Sequence, residues 1–148
     1  MFQGQYNATI DEKGRLTIPG KLKELLGGDN LVVTNGDGRN LWCYLPEEWK
    51  KTRDQVLENV SQYTQDGRLI IRRFVSPAQE VEPDKMGRFL LPQALRDGAG
   101  LKKDVVVLGM ATYIEVWSRE AFDAYMADAE VRYGEALAEA LGSVHVKQ

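Results

Sequence analysis

Short alternating runs of apolar and polar residues, separated by reversals rich in glycine and asparagine, dominate the first hundred or so positions of the chain. That pattern predicts short β-strands with brief helices between them. Tyr6–Ile10 (YNATI) alternates as a half-buried strand, and Arg15–Ile18 (RLTI) reads as a second. Pro19 then opens a short helix, PGKLKELLG, at a first helical position where a fixed φ and a missing N–H are tolerated. Gly27 and Gly28 close it. LVVT (Leu31–Thr34) is the next strand, NGDGRN supplies a tight reversal, and LWCYL returns. PEEWKKTRDQVLENV follows as a helix with acids in its first turn, where the helix dipole favours them.

The same order then recurs. DEKGRLTIP (Asp11–Pro19) and DKMGRFLLP (Asp84–Pro92) share Asp, Gly, Arg and Pro at equal offsets, seventy-three residues apart. After the second phrase come PQALRDGAG as a short helix, DVVVLG and TYIEVW as strands, and one long helix over SREAFDAYMADAEVRYGEALAEALG, with Ser118 as its N-cap. Trp49 and Phe122, and likewise Tyr44 and Trp117, fall at the repeat offset. In the middle stretch, LIIRRFV is open between a strand and a helical turn started at Asp66, and VSPAQEVEP reads as an extended entry into the second phrase.

Self-similarity on this scale marks a repeated supersecondary unit. Each half has about fifty residues, close to the size at which a lone core is marginal, and each would leave strand edges unpaired. The chain is therefore expected to be α+β, one barrel built from two pseudo-symmetric β-β-α-β-β units. The expected divisions are a first half-domain at 1–50, a helical connector at 51–75, a second half-domain at 76–124, and a C-terminal helix and tail at 125–148.

Composition narrows the chemistry. The 148 residues are 43% hydrophobic and 28% charged, enough for a real core in a soluble chain. No apolar run has the length of a membrane helix, and the N-terminus lacks a charged-then-apolar signal pattern, so a cytoplasmic location is expected. One cysteine, Cys43, and one histidine, His145, argue against a disulfide framework and a protein-only zinc site. Cys43 lies inside an apolar strand with no histidine nearby and reads as packing rather than as a nucleophile; His145 reads as an inert tail residue. Trp42, Trp49 and Trp117 lie on or beside predicted elements and read as core or interface aromatics. The glycine-rich LLGGDN and NGDG lack the spacing of phosphate-binding loops. With no acid–base pair at a catalytic spacing, no enzyme, metal, cofactor or small-molecule substrate is expected.

The formal net charge of −3 does not announce a nucleic-acid binder, and there is no basic tail. Residues 51–75 are the only basic segment, with five Lys/Arg against three Asp/Glu. Phosphate contact would have to come from a small cluster presented by the fold, and the repeated phrase is the candidate. Asp11 and Asp84 can accept backbone N–H groups within their turns. Gly14 and Gly87 stand where a tight reversal needs positive φ. Arg15 and Arg88 stand near those aspartates, which would orient each guanidinium while leaving donors outward, and Lys13 occupies a turn tip. Residue chemistry alone leaves two readings: a stable hairpin with a surface ion pair, or a pair of basic turns displayed on one face.

The two D-x-x-G-R phrases, each followed by a proline-led helix and two strands and preceded by MFQGQYNATID, resemble the MraZ family over residues 1 to about 124. A single phrase would suggest only the wider AbrB-like superfamily, including antitoxins. The resemblance implies tandem SpoVT-AbrB half-domains in a swapped-hairpin barrel, and a ring-shaped homo-oligomer. It further implies a nucleoid-associated transcriptional regulator that binds double-stranded DNA at short direct repeats upstream of the division and cell-wall gene cluster, its own gene included. The family motif falls on Asp11 with Arg15 and on Asp84 with Arg88. Lys13 and Arg15, with Lys85 and Arg88 in the second phrase, are the positions it assigns to DNA. Met86 stands where Lys13 stands in the first phrase, so the first half is expected to read DNA more strongly. A ring would repeat a weak basic turn on several subunits, which reconciles DNA binding with a negative net charge. The rival readings are an oligomeric protein-interaction scaffold and an AbrB-like antitoxin module.

Overall fold

The computed structural model describes the backbone of residues 1–146 and side chains through Gly142. Among the described residues eight strands and six α-helices follow in the order β1 (Gln5–Thr9), β2 (Arg15–Thr17), α1 (Gly20–Leu26), β3 (Leu31–Asn35), β4 (Asn40–Tyr44), α2 (Pro46–Asn59), α3 (Gln65–Ile70), β5 (Gln79–Val81), β6 (Arg88–Leu90), α4 (Gln93–Gly98), β7 (Asp104–Gly109), β8 (Ile114–Ser118), α5 (Arg119–Asp128) and α6 (Glu130–Val146). The mixed α+β class expected from the strand and helix patterns is present. Six strands form an antiparallel sheet in the order β1-β7-β8-β4-β3-β5, and β2 pairs with β6 in a separate two-stranded ribbon.

The tight reversal expected at each phrase is present, but the strands it joins do not run on as a local ladder. β1 does not continue into a ladder with β2; the turn is closed by the Asp11 N–H donating to the Arg15 carbonyl at 3.0 Å and by one bridge between Ile10 and Leu16. Beyond that bridge the strands part. β1 pairs along its length with β7, Gln5 opposite Leu108, and β5 pairs with β3, Leu31 opposite Val81. The first strand of each half thus completes the sheet of the other. The physical reason is the one that made each half marginal: an edge strand presents unpaired N–H and C=O groups, and the partner half offers the complementary edge.

One main core lies between the sheet and the ribbon. Leu16 of β2 and Phe89 of β6, paired directly across the ribbon, are buried in it with Leu22, Leu95, Val33, Leu41, Val105 and Val116. β4 and β8 are the central strands, and β8 is buried at every position. They are covered on both faces, which explains why LWCY and IEVW read as nearly continuous apolar runs. On the outer face two aromatic clusters meet them. α2 brings Trp49 against Tyr44, Phe74 and Val32, and α5 brings Phe122 against Trp117 and Val106. The repeat-related pairs Trp49/Phe122 and Tyr44/Trp117 therefore do the same job in each half.

Several local expectations change. Pro19 is the N-cap of α1, with an extended ψ of 146°, and Pro92 is likewise the N-cap of α4, so proline sits one residue outside each helix. The LIIRRFV segment is helical, α3 passing into a π-helical turn over Ile71–Val75. Its start is capped by Thr64, whose hydroxyl accepts the Gly67 N–H at 3.0 Å, two residues before Asp66. Ser118 does cap α5, accepting the Ala121 N–H. The single long C-terminal helix is instead two, α5 and α6, meeting at Ala129. α6 then runs with Val131, Tyr133, Leu137 and Leu141 exposed. Cys43 is buried, and burial pushes its thiol up to about 12, so it stays protonated and unreactive. His145 lies outside the described side chains.

Among the described residues Glu115 is the one buried carboxylate. It sits on β8 opposite Trp42, and the Trp117 indole Nε1 donates to it at 2.8 Å. Burial raises its pKa; the indole hydrogen bond opposes this and nearby Asp37 adds to it. A carboxyl raised on folding contributes stability that is full below the unfolded pKa and is lost as pH rises through the folded value. Glu115→Gln keeps an acceptor for the indole and removes the buried charge. The variant is expected to melt above the parent at about pH 8 and to converge with it near pH 4; equal melting temperatures at both pH values would refute this.

Candidate nucleic-acid interface

The two repeated turns lie at the ends of the β2–β6 ribbon. In the first, Asp11 Oδ1 accepts the N–H groups of Lys13 at 3.0 Å and Arg15 at 2.9 Å, and Oδ2 accepts Arg15 Nε at 2.7 Å. In the second, Asp84 Oδ1 accepts the N–H groups of Met86 and Arg88, both at 2.9 Å, and Oδ2 accepts Arg88 Nε at 2.8 Å. The aspartate fixes backbone and guanidinium together, and uses only one edge of the arginine's donor fork. The Gly14 and Gly87 φ values of +89° and +77° lie in the region that L side chains avoid.

The Arg15 backbone N–H, helped by its guanidinium and by the Lys13 N–H, holds the Asp11 carboxyl down at about 2. Asp84 is lowered by the matching groups, the Arg88 backbone N–H first. The stability these carboxylates contribute is present above the unfolded value of 3.8 and is lost as pH falls through their folded values. Both turns therefore keep their geometry through mildly acidic conditions.

The pairing of β2 with β6 brings the two phrases together, which the linear sequence does not show. Thr17 faces Arg88 and Leu90 faces Arg15 in the register. Since Leu16 and Phe89 point into the core, Arg15, Thr17, Arg88 and Leu90 share the ribbon's outer face. Arg88 Nη1 also comes within 3.9 Å of Asp11 Oδ2, across the two halves. Lys13 and Lys85 are exposed at the tips of their turns.

Two further cations lie against these turns. The Arg96 guanidinium of α4 packs over Gly14, and its Nε donates to the Leu91 carbonyl at 2.9 Å while the Leu91 N–H donates to the Gly14 carbonyl. The Lys23 ammonium of α1 lies over Gly87, 3.4 Å from the Met86 carbonyl. Their spacing, seventy-three residues, equals that of the phrases. That equality was a usable sequence signal, but which turn each residue reaches depends on the cross-pairing. A two-stranded ribbon with arginines on its outer face and lysines at its ends has the size and charge to meet a nucleic-acid groove. Among the described residues no group of three His, Cys, Asp or Glu side chains is placed to hold a metal ion, and no helix is long and apolar enough to cross a membrane.

The family model described as "MraZ protein, putative antitoxin-like" matches the chain twice, over residues 1–73 and 74–143. A protein of Treponema denticola named "Transcriptional regulator MraZ" is 41% identical over 141 residues, covering 95% of this chain and 97% of its own. Its namesake in Desulforamulus reducens is 43% identical over 139 residues, 94% of this chain and 96% of its own. Another, from Caldanaerobacter subterraneus, is 38% identical over 146 residues, 99% of this chain and all of its own. These names are those of regulators, not of enzymes. Matched in both halves by the family model and nearly end to end by these relatives, the chain belongs to the MraZ family.

Proposed function

We propose that this chain is a DNA-binding transcriptional regulator that reads double-stranded DNA with the outer face of the β2–β6 ribbon. The observation that carries this reading is the convergence of Arg15 and Arg88 on one exposed face, each held by an aspartate that leaves donors free. Lys13 and Lys85 extend the contact at either end. Asp11, Gly14, Asp84 and Gly87 set the backbone of the turns and do not touch the DNA.

The finer features follow the family resemblance. The two halves, 1–50 and 76–124, form a swapped-hairpin barrel of the SpoVT-AbrB kind, with residues 51–75 as connector and 125–148 as the C-terminal extension. The exchange of β1 and β5 between halves supports that reading. The chain assembles as a ring-shaped homo-oligomer, and the exposed apolar side chains of α6 offer surface for subunit contacts. It acts in the cytoplasm at the nucleoid, on short direct repeats upstream of the division and cell-wall genes and its own gene. The antitoxin wording of the family model keeps an AbrB-like antitoxin module as the second reading.

Mobility shift with the DNA upstream of the chain's own gene, alongside light scattering of the free protein, tests the proposal. A salt-sensitive shift that needs intact direct repeats, with a mass above that of a dimer, is the expected result. A monomer at micromolar concentration would remove the ring. Equal affinity for scrambled DNA would remove the direct repeats as the target.

A further inference from the structure

We infer that Lys23 and Arg96, outside the repeated phrase and on the short helices α1 and α4, are two additional phosphate-contacting residues, one beside each turn. The inference rests on the DNA-binding reading above and names residues that the family motif does not contain.

The placement is reciprocal. α1 belongs to the first half, yet Lys23 lies over Gly87 of the second turn; α4 belongs to the second half, yet Arg96 lies over Gly14 of the first. Each turn thus carries a tip lysine and an arginine of its own, and a third cation from the opposite half. Among the described residues neither Lys23 nor Arg96 forms an ion pair, whereas Arg15 and Arg88 do. Lys23 meets only the Met86 carbonyl, at 3.4 Å, and Arg96 spends its Nε on the Leu91 carbonyl, so the Nη groups retain donors. Carbonyl contacts orient a cation without neutralising it. An unneutralised cation seated on a backbone turn beside an arginine face is arranged for an anion that spans both, and a nucleic-acid backbone supplies phosphates at regular spacing.

The ledger of the face supports this. On the turns themselves Lys13, Arg15, Lys85 and Arg88 stand against Asp11, Glu12 and Asp84, an excess of one, 4 − 3, although the chain is negative by three. Lys23 and Arg96 add two further cations beside those turns. The missing counterpart of Lys13 at Met86 is also made good, since Lys23 stands beside that residue.

The test is a salt titration of binding to own-promoter DNA by fluorescence anisotropy, with the full chain and thermal melts in parallel. Lys23→Gln and Arg96→Gln are each expected to weaken binding and to lower the log–log salt slope by about 0.9 per lost phosphate contact. Lys23→Arg and Arg96→Lys, which keep the charge, should retain the slope. Lys50→Gln makes the same change in net charge on α2, across the sheet from the ribbon, and should leave the slope as it is. Slopes for Lys23→Gln and Arg96→Gln no lower than that of Lys50→Gln would overturn the inference, with the parent's DNA binding intact. If Arg96→Lys loses slope as Arg96→Gln does, Arg96 works through the Leu91 carbonyl, which also overturns its assignment to phosphate. A parent protein that binds no DNA in any salt would instead sink the underlying DNA reading.

Discussion

Arg15→Ala and Arg88→Ala should each weaken binding to own-promoter DNA by roughly 5- to 150-fold per engaged site, the equivalent of about 1–3 kcal/mol for a well-placed arginine contact. Neither should unfold the protein, because a partly exposed aspartate–arginine pair contributes only about 0–1 kcal/mol. Each aspartate also keeps two backbone N–H partners when its arginine is removed. Sequence alone ranks Arg88 below Arg15, since Met86 replaces the tip lysine. The geometry argues for equality: the two arginines share one ribbon face and have matching carboxylate contacts of 2.7 and 2.8 Å, and Lys85 supplies a tip cation one position away. Lys13→Ala should cost less, as one exposed point charge, and should show mainly in the salt slope. In a multisubunit complex these losses compound, because linked sites lose effective concentration as each weakens. Binding curves over a range of salt, with circular dichroism as the folding control, measure this. Intact binding by both arginine variants would place the DNA surface elsewhere on the molecule.

Gly14→Val is expected to act on folding instead. At a φ of +89° a β-branched residue is strained, by about 1–3 kcal/mol. The added side chain would also meet the Arg96 guanidinium, which is fixed through Leu91 and lies where a Cβ would go. Gly87→Val carries the same backbone strain, at +77°, but what it meets is the far end of Lys23, which swings aside. The expected order of melting temperatures is therefore parent, then Gly87→Val, then Gly14→Val, with the last lower than the parent by several degrees. Should the two valine variants melt alike, the Arg96 contact contributes nothing to the difference. Should Gly14→Val melt with the parent, the positive φ is not required in solution.

Much of the site was legible before the fold was known, and the reason is local. The aspartate accepts N–H groups two and four residues ahead, the glycine lies between, and Ser118 accepts an N–H three residues ahead. Such contacts are written in the order of residues, so a repeated phrase predicts a repeated turn. The matched aromatics Trp49 and Phe122 were legible for a similar reason: equal offset in a duplicated unit implies equal place in the packing. Boundaries read less well. Thr64 rather than Asp66 caps α3, and proline lies outside α1 and α4 rather than inside, because neighbouring polar residues and adjacent positions are near-equivalent caps in local energy. The division of the C-terminal helix at Ala129 has no glycine or proline to mark it.

By itself the sequence determined that there are two equivalent units, what each unit contains, and which side chains stand at each turn. Those are consequences of short-range hydrogen bonding, backbone preference and alternation. Only the tertiary structure decided how the units combine: β1 joined to β7, β5 to β3, β2 to β6, Arg88 beside Asp11, Arg96 over Gly14 and Lys23 over Gly87. Each unit satisfies its own turns but not its own edges, and an unpaired edge accepts any strand of suitable register. A repeat offers two such strands, its own and its partner's. Burying Leu16 and Phe89 in one shared core is what selects the partner's, and that selection gathers two separate basic turns onto a single face.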